Sequence, residues 1–260
     1  MENPLQSVTN ALDVISMLAR EADLTLTDIA GRLRTSTSAT HRLLVTLQQN
    51  GVVTRSSNTK RYRLGLRLWE IGVAALHGFT VRDLALHHLP RLAEQCEETV
   101  NFSIYERGDV LYLDQVDNRA AGSRHLPVAL RLPAHLSAAG KVLLAHLPEE
   151  EVERFCRTGL AGATQHTITS PDRLREELAE IRRQGFAINR GEWHPDACGV
   201  AVPVLDATGY AIAAIGVACP ASRFSSAWVE QVTLPALDHA RDISAALGYR
   251  GSSAGWPGIS

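Results

Sequence analysis

The sequence predicts an α+β protein in two parts: an N-terminal helix-turn-helix with a two-stranded wing, and a C-terminal part with a mostly antiparallel sheet flanked by helices. Three observations lead to this fold class. Apolar residues recur at helical spacing through the first 50 residues, strand-like alternation with turn signals follows in both parts, and basic residues concentrate near the N-terminus.

The composition is that of a globular protein with one or two domains: 260 residues, 45% hydrophobic and 21% charged. No apolar run reaches the roughly 18 residues that a membrane span needs, and the N-terminus has no signal-peptide pattern. Four widely spaced cysteines form no C-x-x-C pair. We therefore expect a cytoplasmic protein with reduced thiols and without a metal site, cofactor or membrane contact.

Start and stop signals divide the first 51 residues into three helices. Ser7 is a candidate cap for the first helix, and Thr25 with Asp28 three residues later is a start signal for the second. Ser36 opens a third helix, which ends at Asn50-Gly51, a pair suited to a left-handed C-terminal turn. The second and third helices, joined by a tight turn, match a helix-turn-helix.

A β-hairpin and a further helix follow the third helix. Residues 52–54 and 61–64 read as two strands around the polar turn 56–59. The next apolar residues predict a linker helix over 66–78, whose apolar seam either dimerises or packs back on the module. We therefore expect residues 1–65 to form a winged helix-turn-helix DNA-binding domain.

Charge is distributed unevenly along the chain. Residues 1–78 carry a net charge of +3 and the remainder −5, and the stretch from Gly31 to Arg67 holds eight basic residues and no acidic one. Such a local excess of Lys and Arg is expected for a phosphate-binding surface, so the predicted partner is double-stranded DNA. Ser36, Thr37, Ser38 and His41 are the candidates for contacting base edges, and Arg34, Arg42, Arg55, Lys60 and Arg61 the candidates for contacting phosphates.

Helices and strands interleave over the rest of the chain, which favours a mixed or antiparallel sheet. The predicted helices are 79–95 with a kink or break at Pro90, 138–146, 171–184 and 226–247; the predicted strands are 99–105, 109–116, 187–190, 199–205 and 212–218. Residues 251–260 read as a disordered tail.

Several of these segments resemble one protein family. The run Ala39–Leu44 with Leu47, Gly51 and the wing end Tyr62–Gly65 resembles the N-terminal domain of the isocitrate-lyase-regulator (IclR) family of bacterial transcription factors. Residues 133–141, 185–189, 200–204 and 206–220 resemble later segments of the same family, so the resemblance spans about residues 5–248.

The resemblance implies that residues 79–250 form a GAF-like domain that binds a small-molecule effector, often an organic or aromatic acid, and that the protein acts as a homodimer or a dimer of dimers on an operator. It places the effector site at Ala138, Ala139, Asn189, Cys198, Gly199, Gly216 and Ala218. Asn189 occupies a position at which relatives can have an acidic residue, and Gly216 and Ala218 occupy positions at which relatives can have serines. These departures suggest a larger or more apolar ligand than glyoxylate-like acids.

Two other functions compete with a ligand-responsive regulator. Cys198 near His194 is a candidate nucleophile–base pair, which would make the protein a thiol hydrolase. A base four residues away in sequence is weak support, and no nucleophile-elbow pattern is present. A constitutive DNA-binding protein with a degenerate C-terminal half is the second alternative. The sequence favours a non-enzymatic regulator with no catalytic residues.

Overall fold

The computed structural model describes residues 5–76, 80–119 and 122–251, and the chain divides into two units, Met1–Phe79 and Thr80–Ser260. Apart from Gly251, the predicted tail lies outside the described residues, and so do the last two residues of the predicted linker helix, 77 and 78, and the first residue of the predicted helix 79–95.

The first unit has four helices and one hairpin among its described residues. They are α1 (Gln6–Arg20), α2 (Leu26–Leu33), α3 (Thr37–Gln49), β1 (Val53–Arg55), β2 (Tyr62–Leu64) and α4 (Arg67–Leu76). This is the order predicted for a winged helix-turn-helix followed by a further helix.

Local hydrogen bonds explain where these helices begin. Thr25 and Asp28 form a reciprocal capping box at α2, and the Ser36 hydroxyl accepts from the N–H of Ala39 at α3. The prediction for α1 is wrong by two residues: Leu5 precedes the first turn and makes no side-chain cap, so Ser7 lies inside the helix.

A small apolar core joins the wing to the helices. Val14, Ile29 and Leu44 are fully buried and pack with Tyr62, the first residue of β2. The main chain of Tyr62 also exchanges hydrogen bonds of 2.8 and 3.3 Å with Leu24, which precedes α2. The wing is therefore fixed to the helix-turn-helix by both packing and backbone pairing.

The second unit is an antiparallel sheet with helices on both faces. Its elements are α5 (Thr80–Cys96), β3 (Thr99–Glu106), β4 (Asp109–Arg119), β5 (Gly122–Pro133), a 3-10 turn (Ala134–Leu136), α6 (Ala138–Ala145), α7 (Glu149–Arg157), α8 (Pro171–Gln184), β6 (Ala187–Arg190), β7 (Ala197–Leu205), β8 (Ala211–Pro220) and α9 (Ser226–Ala246). This is the predicted α+β class.

The strand order is β5-β4-β3-β8-β7-β6, and every neighbouring pair is antiparallel. Each residue of β7 from Cys198 to Leu205 is buried, so both faces of the sheet are covered there. Helices α5 and α9 pack against each other, as do α6 and α8. The central strands β3 and β8 come from distant parts of the sequence and meet in the middle of the sheet.

Three features differ from the sequence prediction. α5 continues through Pro90 to Cys96 without a break. β5 and α7 were not predicted; β5 is an edge strand, the position where a proline such as Pro127 is tolerated. α7 is short and rich in glutamate, and it buries Val152, Phe155 and Cys156.

Candidate functional site

The N-terminal turn of α3 presents a group of small polar side chains to solvent. Ser36 caps the helix, and its hydroxyl lies 3.2 Å from that of Ser38. Thr40 faces the opposite way, is buried, and donates its hydroxyl hydrogen bond to the carbonyl of Ser36. All nine residues predicted to contact DNA are exposed: Arg34, Ser36, Thr37, Ser38, His41, Arg42, Arg55, Lys60 and Arg61.

The eight basic residues between positions 31 and 67 fall into two groups. Arg32 forms a bidentate pair with Glu21 at 2.7 and 2.8 Å, and Arg63 forms one with Asp23 at 2.5 and 2.6 Å. Both pairings lower the pKa of the carboxyl group through hydrogen bonding and charge.

Arg67 of the same stretch is paired with Glu70 at 2.7 Å. The remaining five make no ion pair with any carboxylate of the described residues: Arg34, Arg42, Arg55, Lys60 and Arg61. These five are the residues that the sequence singled out for phosphates. Beside the first turn of α3 and on the wing, the unit therefore exposes positively charged side chains that form no ion pair among the described residues.

The wing cations are held in place by neutral partners. The guanidinium of Arg55 lies 5.3 Å from the ring centre of Tyr62, and its Nε donates to the carbonyl of Lys60 at 3.3 Å. Arg61 donates to the carbonyl of Asp23 at 3.0 Å. Since these contacts leave the charges uncancelled by an ion pair, the wing is positioned to bind an anion.

A second site lies in the C-terminal unit, where a half-open cavity of about 260 Å³ is lined by residues of β3, β4, β5, β6, β7, β8 and the start of α6. The structure brings all seven residues predicted for the effector site to this cavity: Ala138, Ala139, Asn189, Cys198, Gly199, Gly216 and Ala218.

Strand register explains how these residues come together. Residues directly opposite each other in an antiparallel pair share one face of the sheet. Asn189 is opposite Gly199, which is opposite Ala218 on the next strand. Gly216 continues this face two residues before Ala218, and the first turn of α6 lies above it.

Cys198 contributes its main chain, rather than its thiol, to the cavity wall. It precedes Gly199 on β7, and alternate side chains point to opposite faces, so its thiol lies on the face away from Asn189. Burial raises the pKa of this thiol, and His194 is exposed. A buried thiol without a thiolate-stabilising base is a poor nucleophile, so the geometry does not support the hydrolase alternative.

The cavity carries more polar groups than the sequence indicated. Asn101, Tyr112, Gln115 and Ser137 line it in addition to Asn189, whereas the sequence suggested few polar anchors. Burial raises the pKa of Tyr112, and the neighbouring hydroxyl of Ser137 opposes the shift. No charged side chain is among the described residues that line the cavity.

The start of α6 adds main-chain donors. Ser137 caps the helix by accepting from the N–H of Gly140 at 3.1 Å, and its carbonyl accepts from Lys141 at 2.9 Å. The N–H groups of Ala138 and Ala139 precede this first intrahelical bond and therefore have no partner within the helix. Such N–H groups are suited to a carboxylate.

A buried ion cluster supports the loop between β6 and β7. The ammonium of Lys141 contacts Glu192 at 2.8 Å and Glu177 at 2.9 Å. The main-chain N–H of Glu192 donates to Asn189 Oδ1 at 2.9 Å, and the hydroxyl of Thr167 donates to the carbonyl of Glu192. This loop carries Trp193, a half-exposed residue of the cavity wall.

A larger cavity of about 620 Å³ lies where the β3–β4 turn approaches α7. Its wall includes Arg107, Arg154, Glu151 and Asp109, so both signs of charge are present. None of the predicted site residues lines it.

Other kinds of site find no support in the described part of the chain. No group of three or more His, Cys, Asp or Glu side chains is arranged to hold a metal ion there. Within the same residues, every helix falls short of the length and apolar character needed to cross a bilayer.

A helix-turn-helix with a cationic wing, followed by a domain with a curled antiparallel sheet flanked by helices, is typical of one class of protein, the DNA-binding transcriptional regulators. Comparison with known proteins identifies the family within this class. Residues 7–57 match the family described as "IclR helix-turn-helix domain", and residues 73–245 match "Bacterial transcriptional regulator IclR C-terminal". The chain belongs to the IclR family of bacterial transcriptional regulators.

Relatives and solved structures match over nearly the whole chain. The transcriptional regulator BhcR of Paracoccus denitrificans is 33% identical over 92% of this chain and 86% of its own length. The crystal structure of an IclR regulator from Alicyclobacillus acidocaldarius is 27% identical, with a TM-score of 0.81 over 94% of this chain and 99% of the other. An IclR homologue from Microbacterium hydrocarbonoxydans, crystallised with 4-hydroxybenzoate, is 30% identical, with a TM-score of 0.77 over 92% and 99%.

Proposed function

We propose that the protein is a transcriptional regulator whose affinity for operator DNA is changed by a small organic or aromatic acid bound in the 260 Å³ cavity. Residues 1–65 act as the DNA-binding domain, 66–78 as a linker helix and 79–250 as the effector domain. Such a regulator acts in the cytoplasm, where the chromosome is. The observation that carries the DNA-binding half is the set of five cations that form no ion pair with a carboxylate in the described part of the chain.

The proposed DNA interface has two parts. Ser36, Thr37, Ser38 and His41 reach base edges in the major groove from the exposed start of α3. The five unpaired cations contact phosphates and set the register of the module on the duplex. Because these cations displace condensed counterions on binding, affinity depends on salt.

The proposed effector interface is the wall of the cavity. A carboxylate would accept hydrogen bonds from the N–H groups of Ala138 and Ala139, and Asn189 would offer its amide. Gly199, Gly216 and Ala218 line the sheet face of the same cavity. The homologue crystallised with 4-hydroxybenzoate supports an acid ligand for this chain.

We also propose that the protein is a homodimer or a dimer of dimers. Leu5, the residue before α1, and Val8 and Leu12 within it are 53–73% exposed and follow one another at helical spacing. Leu66 and Trp69 are 81% and 69% exposed in the same unit. Exposed apolar side chains of this number and size favour association between subunits. A dimer would also place two DNA-binding domains on the two half-sites of an operator. If α1 forms the contact between subunits, Leu12→Lys should sediment as a smaller species than the unaltered protein. An unchanged mass would reject α1 as the subunit contact.

Retardation of the duplex flanking the gene tests DNA binding. Arg42→Ala should weaken binding by more than about tenfold, which corresponds to a contact worth at least about 1.4 kcal/mol. Arg32→Ala is the matched control, since Arg32 lies in the same stretch but is already paired with Glu21. Equal effects of the two substitutions, or no retardation of any duplex at low salt, would reject the assignment.

Effector control is tested by repeating the titration with small acids. A ligand can shift operator affinity only if it binds the two states of the regulator differently. A constitutive DNA-binding protein would show neither stabilisation nor altered retardation with any acid, whereas a sensor would show both.

A further inference from the structure

The cavity of about 620 Å³ beside α7, the α7 cavity, is separate from the proposed effector site. It is half-open, has more than twice the volume of the cavity in the sheet, and shares no lining residue with it. Its walls are the β3–β4 turn, residues 133 and 135, α7, and residues 158, 159 and 161. A space of this volume is in the range of sites for small organic molecules.

One face of α7 forms a wall of the α7 cavity. Four lining residues follow one another at positions i, i+3, i+4 and i+7 and therefore share one side of the helix: Glu151, Arg154, Phe155 and Thr158. Phe155 is buried, Glu151 is half-buried and Arg154 is exposed. The helix thus presents a carboxylate, a guanidinium and an aromatic ring beside one another.

Most of the charged groups in this wall lack a partner. Among the described residues, neither Glu151 nor Arg154 takes part in an ion pair, and the same holds for Arg107 on the β3–β4 turn. Asp109 differs, because Arg131 lies 3.4 Å from its carboxylate. The α7 cavity therefore offers two cations and one carboxylate that form no ion pair in the described part of the chain.

Arg107 has a backbone conformation that arginine rarely adopts. Its φ is 53° and that of Gly108 is 95°, so both residues of the turn between β3 and β4 are left-handed. Two-residue turns of this kind favour asparagine followed by glycine, and most other side chains at the first position are strained. Strain of this kind is characteristic of residues that bind a ligand, and here it places a cation in the cavity wall.

We propose that the α7 cavity binds a free α-amino acid with an apolar side chain. Its carboxylate contacts Arg154 and Arg107, and its ammonium group contacts Glu151. Its side chain lies against Phe155 and Tyr105, the aromatic residues of the wall. This site is distinct from the proposed effector cavity and does not depend on the proposed function.

The charges of the wall favour an amino acid over simpler ligands. The carboxylate and the ammonium group of an α-amino acid are attached to one carbon, and Glu151 and Arg154 present opposite charges about one helical turn apart. A single amino acid can therefore reach both. A simple acid would leave Glu151 without a partner, and a simple amine would leave the two arginines without one.

Matched ligands test the proposal by calorimetry and thermal shift on the full-length protein. The amino acids are L-phenylalanine and L-leucine. Their analogues 3-phenylpropionate and 4-methylpentanoate lack the ammonium group, and phenethylamine and 3-methylbutylamine lack the carboxylate. At least one amino acid should bind about fivefold more tightly than both of its analogues, because each analogue leaves charged groups of the wall unpaired.

Substitutions in α7 locate the binding site. Arg154→Gln should weaken the amino acid about fivefold, whereas Arg157→Gln, at an exposed position of the same helix outside the cavity, should leave its affinity unchanged. Glu151→Gln should abolish the preference for the amino acid over the deaminated acid, and Glu150→Gln should preserve it. The ligands are compared by the affinity that Arg154→Gln removes, so an acid bound in the 260 Å³ cavity does not contribute.

Arg107→Asn separates a binding role from a structural one. Asparagine tolerates the left-handed conformation better than arginine, so the Tm of the ligand-free protein should rise while the affinity for the amino acid falls. An arginine kept for stability alone would give a lower Tm and an unchanged affinity, which would contradict the proposal.

The proposal is overturned if neither amino acid binds the unaltered protein at millimolar concentrations, or if Arg154→Gln and Arg157→Gln have equal effects. It is also overturned if the preference for the amino acid survives in Glu151→Gln. None of these measurements involves DNA, so a failure of the α7 site leaves the proposed regulator intact, and loss of DNA binding leaves the α7 site intact.

Discussion

The ammonium group of Lys141 lies 2.8 Å from a carboxylate oxygen of Glu192, and these side chains are only 1% and 8% exposed. Burial raises the pKa of Glu192, while the charge of Lys141 opposes the shift. The second oxygen of Glu192 has no hydrogen-bond partner among the described residues. The buried carboxylate of Glu192 is therefore stabilised by the charge of Lys141. The main-chain N–H of Glu192 also donates to Asn189, a residue of the cavity wall.

Removing that cation should destabilise the second unit. Lys141→Met leaves the buried carboxylate without its partner, and we expect a loss of about 3–5 kcal/mol in the free energy of unfolding by urea. Arg183→Ala is the control, because its pair with Glu180 is exposed and worth at most about 1 kcal/mol. A loss for Lys141→Met no larger than that of the control would contradict this view of the pair.

Two histidines give the second unit a predicted dependence on pH. Nδ1 of His88 on α5 lies 2.8 Å from Nδ1 of His239 on α9, which requires one protonated nitrogen and one lone pair. Burial lowers the pKa of both; Arg91 and, at His88, His87 lower it further, while Asp242 and, at His239, Asp238 raise it. His239 also contacts Gln95 at 3.2 Å.

Depressed histidine pKa values mean that the unfolded chain binds protons more readily than the folded one. This contribution to stability is fully present above the unfolded value of about 6.5 and is lost as pH falls through the folded value. The Tm should therefore fall from pH 7 to 5, and less steeply in His239→Leu. His166→Ala, at an exposed position, should keep the unaltered slope; identical slopes in all three proteins would count against the pair.

The salt dependence of DNA binding should report the unpaired cations individually. If Lys60 contacts one phosphate, Lys60→Ala should reduce the slope of log Kd against log salt concentration by about 1. Arg67→Gln should leave the slope nearly unchanged, because Arg67 is already paired with Glu70. Fluorescence anisotropy between about 50 and 200 mM salt measures both. If Arg67→Gln changed the slope as much as Lys60→Ala, pairing with a carboxylate would not determine which cations contact phosphates.

Two helical glycines should respond oppositely to alanine. A Cβ on Gly140 would collide with the main chain of Ala134, whose atoms cannot move aside as a flexible side chain would. We expect Gly140→Ala to lose at least about 2 kcal/mol in the free energy of unfolding. Gly31 in α2 has no atom within 4 Å of an added Cβ, so Gly31→Ala should gain about 0.5–1 kcal/mol. Urea titrations in which Gly140→Ala is neutral would show that α6 can shift.

Much of the first unit could be predicted because its signals are local. Thr25 with Asp28 and Ser36 with Ala39 act within three residues, and these bonds form as the spacing predicts. The prediction was wrong where the signal was weak: Ser7 fits a cap in sequence, yet the helix begins one residue before it. β5 and α7 were missed, although the buried residues of α7 (Val152, Phe155 and Cys156) lie at helical spacing and could have indicated a helix.

The cavity could be predicted only in part. The resemblance located Asn189, Gly199 and Gly216, whereas Asn101 was not expected to join them. Its place there depends on β3 pairing with β8, more than 100 residues later, and nothing in the local pattern of either strand specifies that neighbour. Strand order results from the competition among all possible pairings of the chain, which a single segment does not encode.

The amino-acid sequence by itself determined the helix-turn-helix, the wing, the excess of positive charge and the interleaved strands and helices, because periodicity, caps and turns act over a few residues. Tertiary structure decided which of those charges remain free and which polar groups meet. Arg63 is neutralised by Asp23, 40 positions earlier in the chain, whereas Lys60 in the same hairpin has no carboxylate partner in the described part of the protein. Such pairings depend on distances that exist only after the chain has folded.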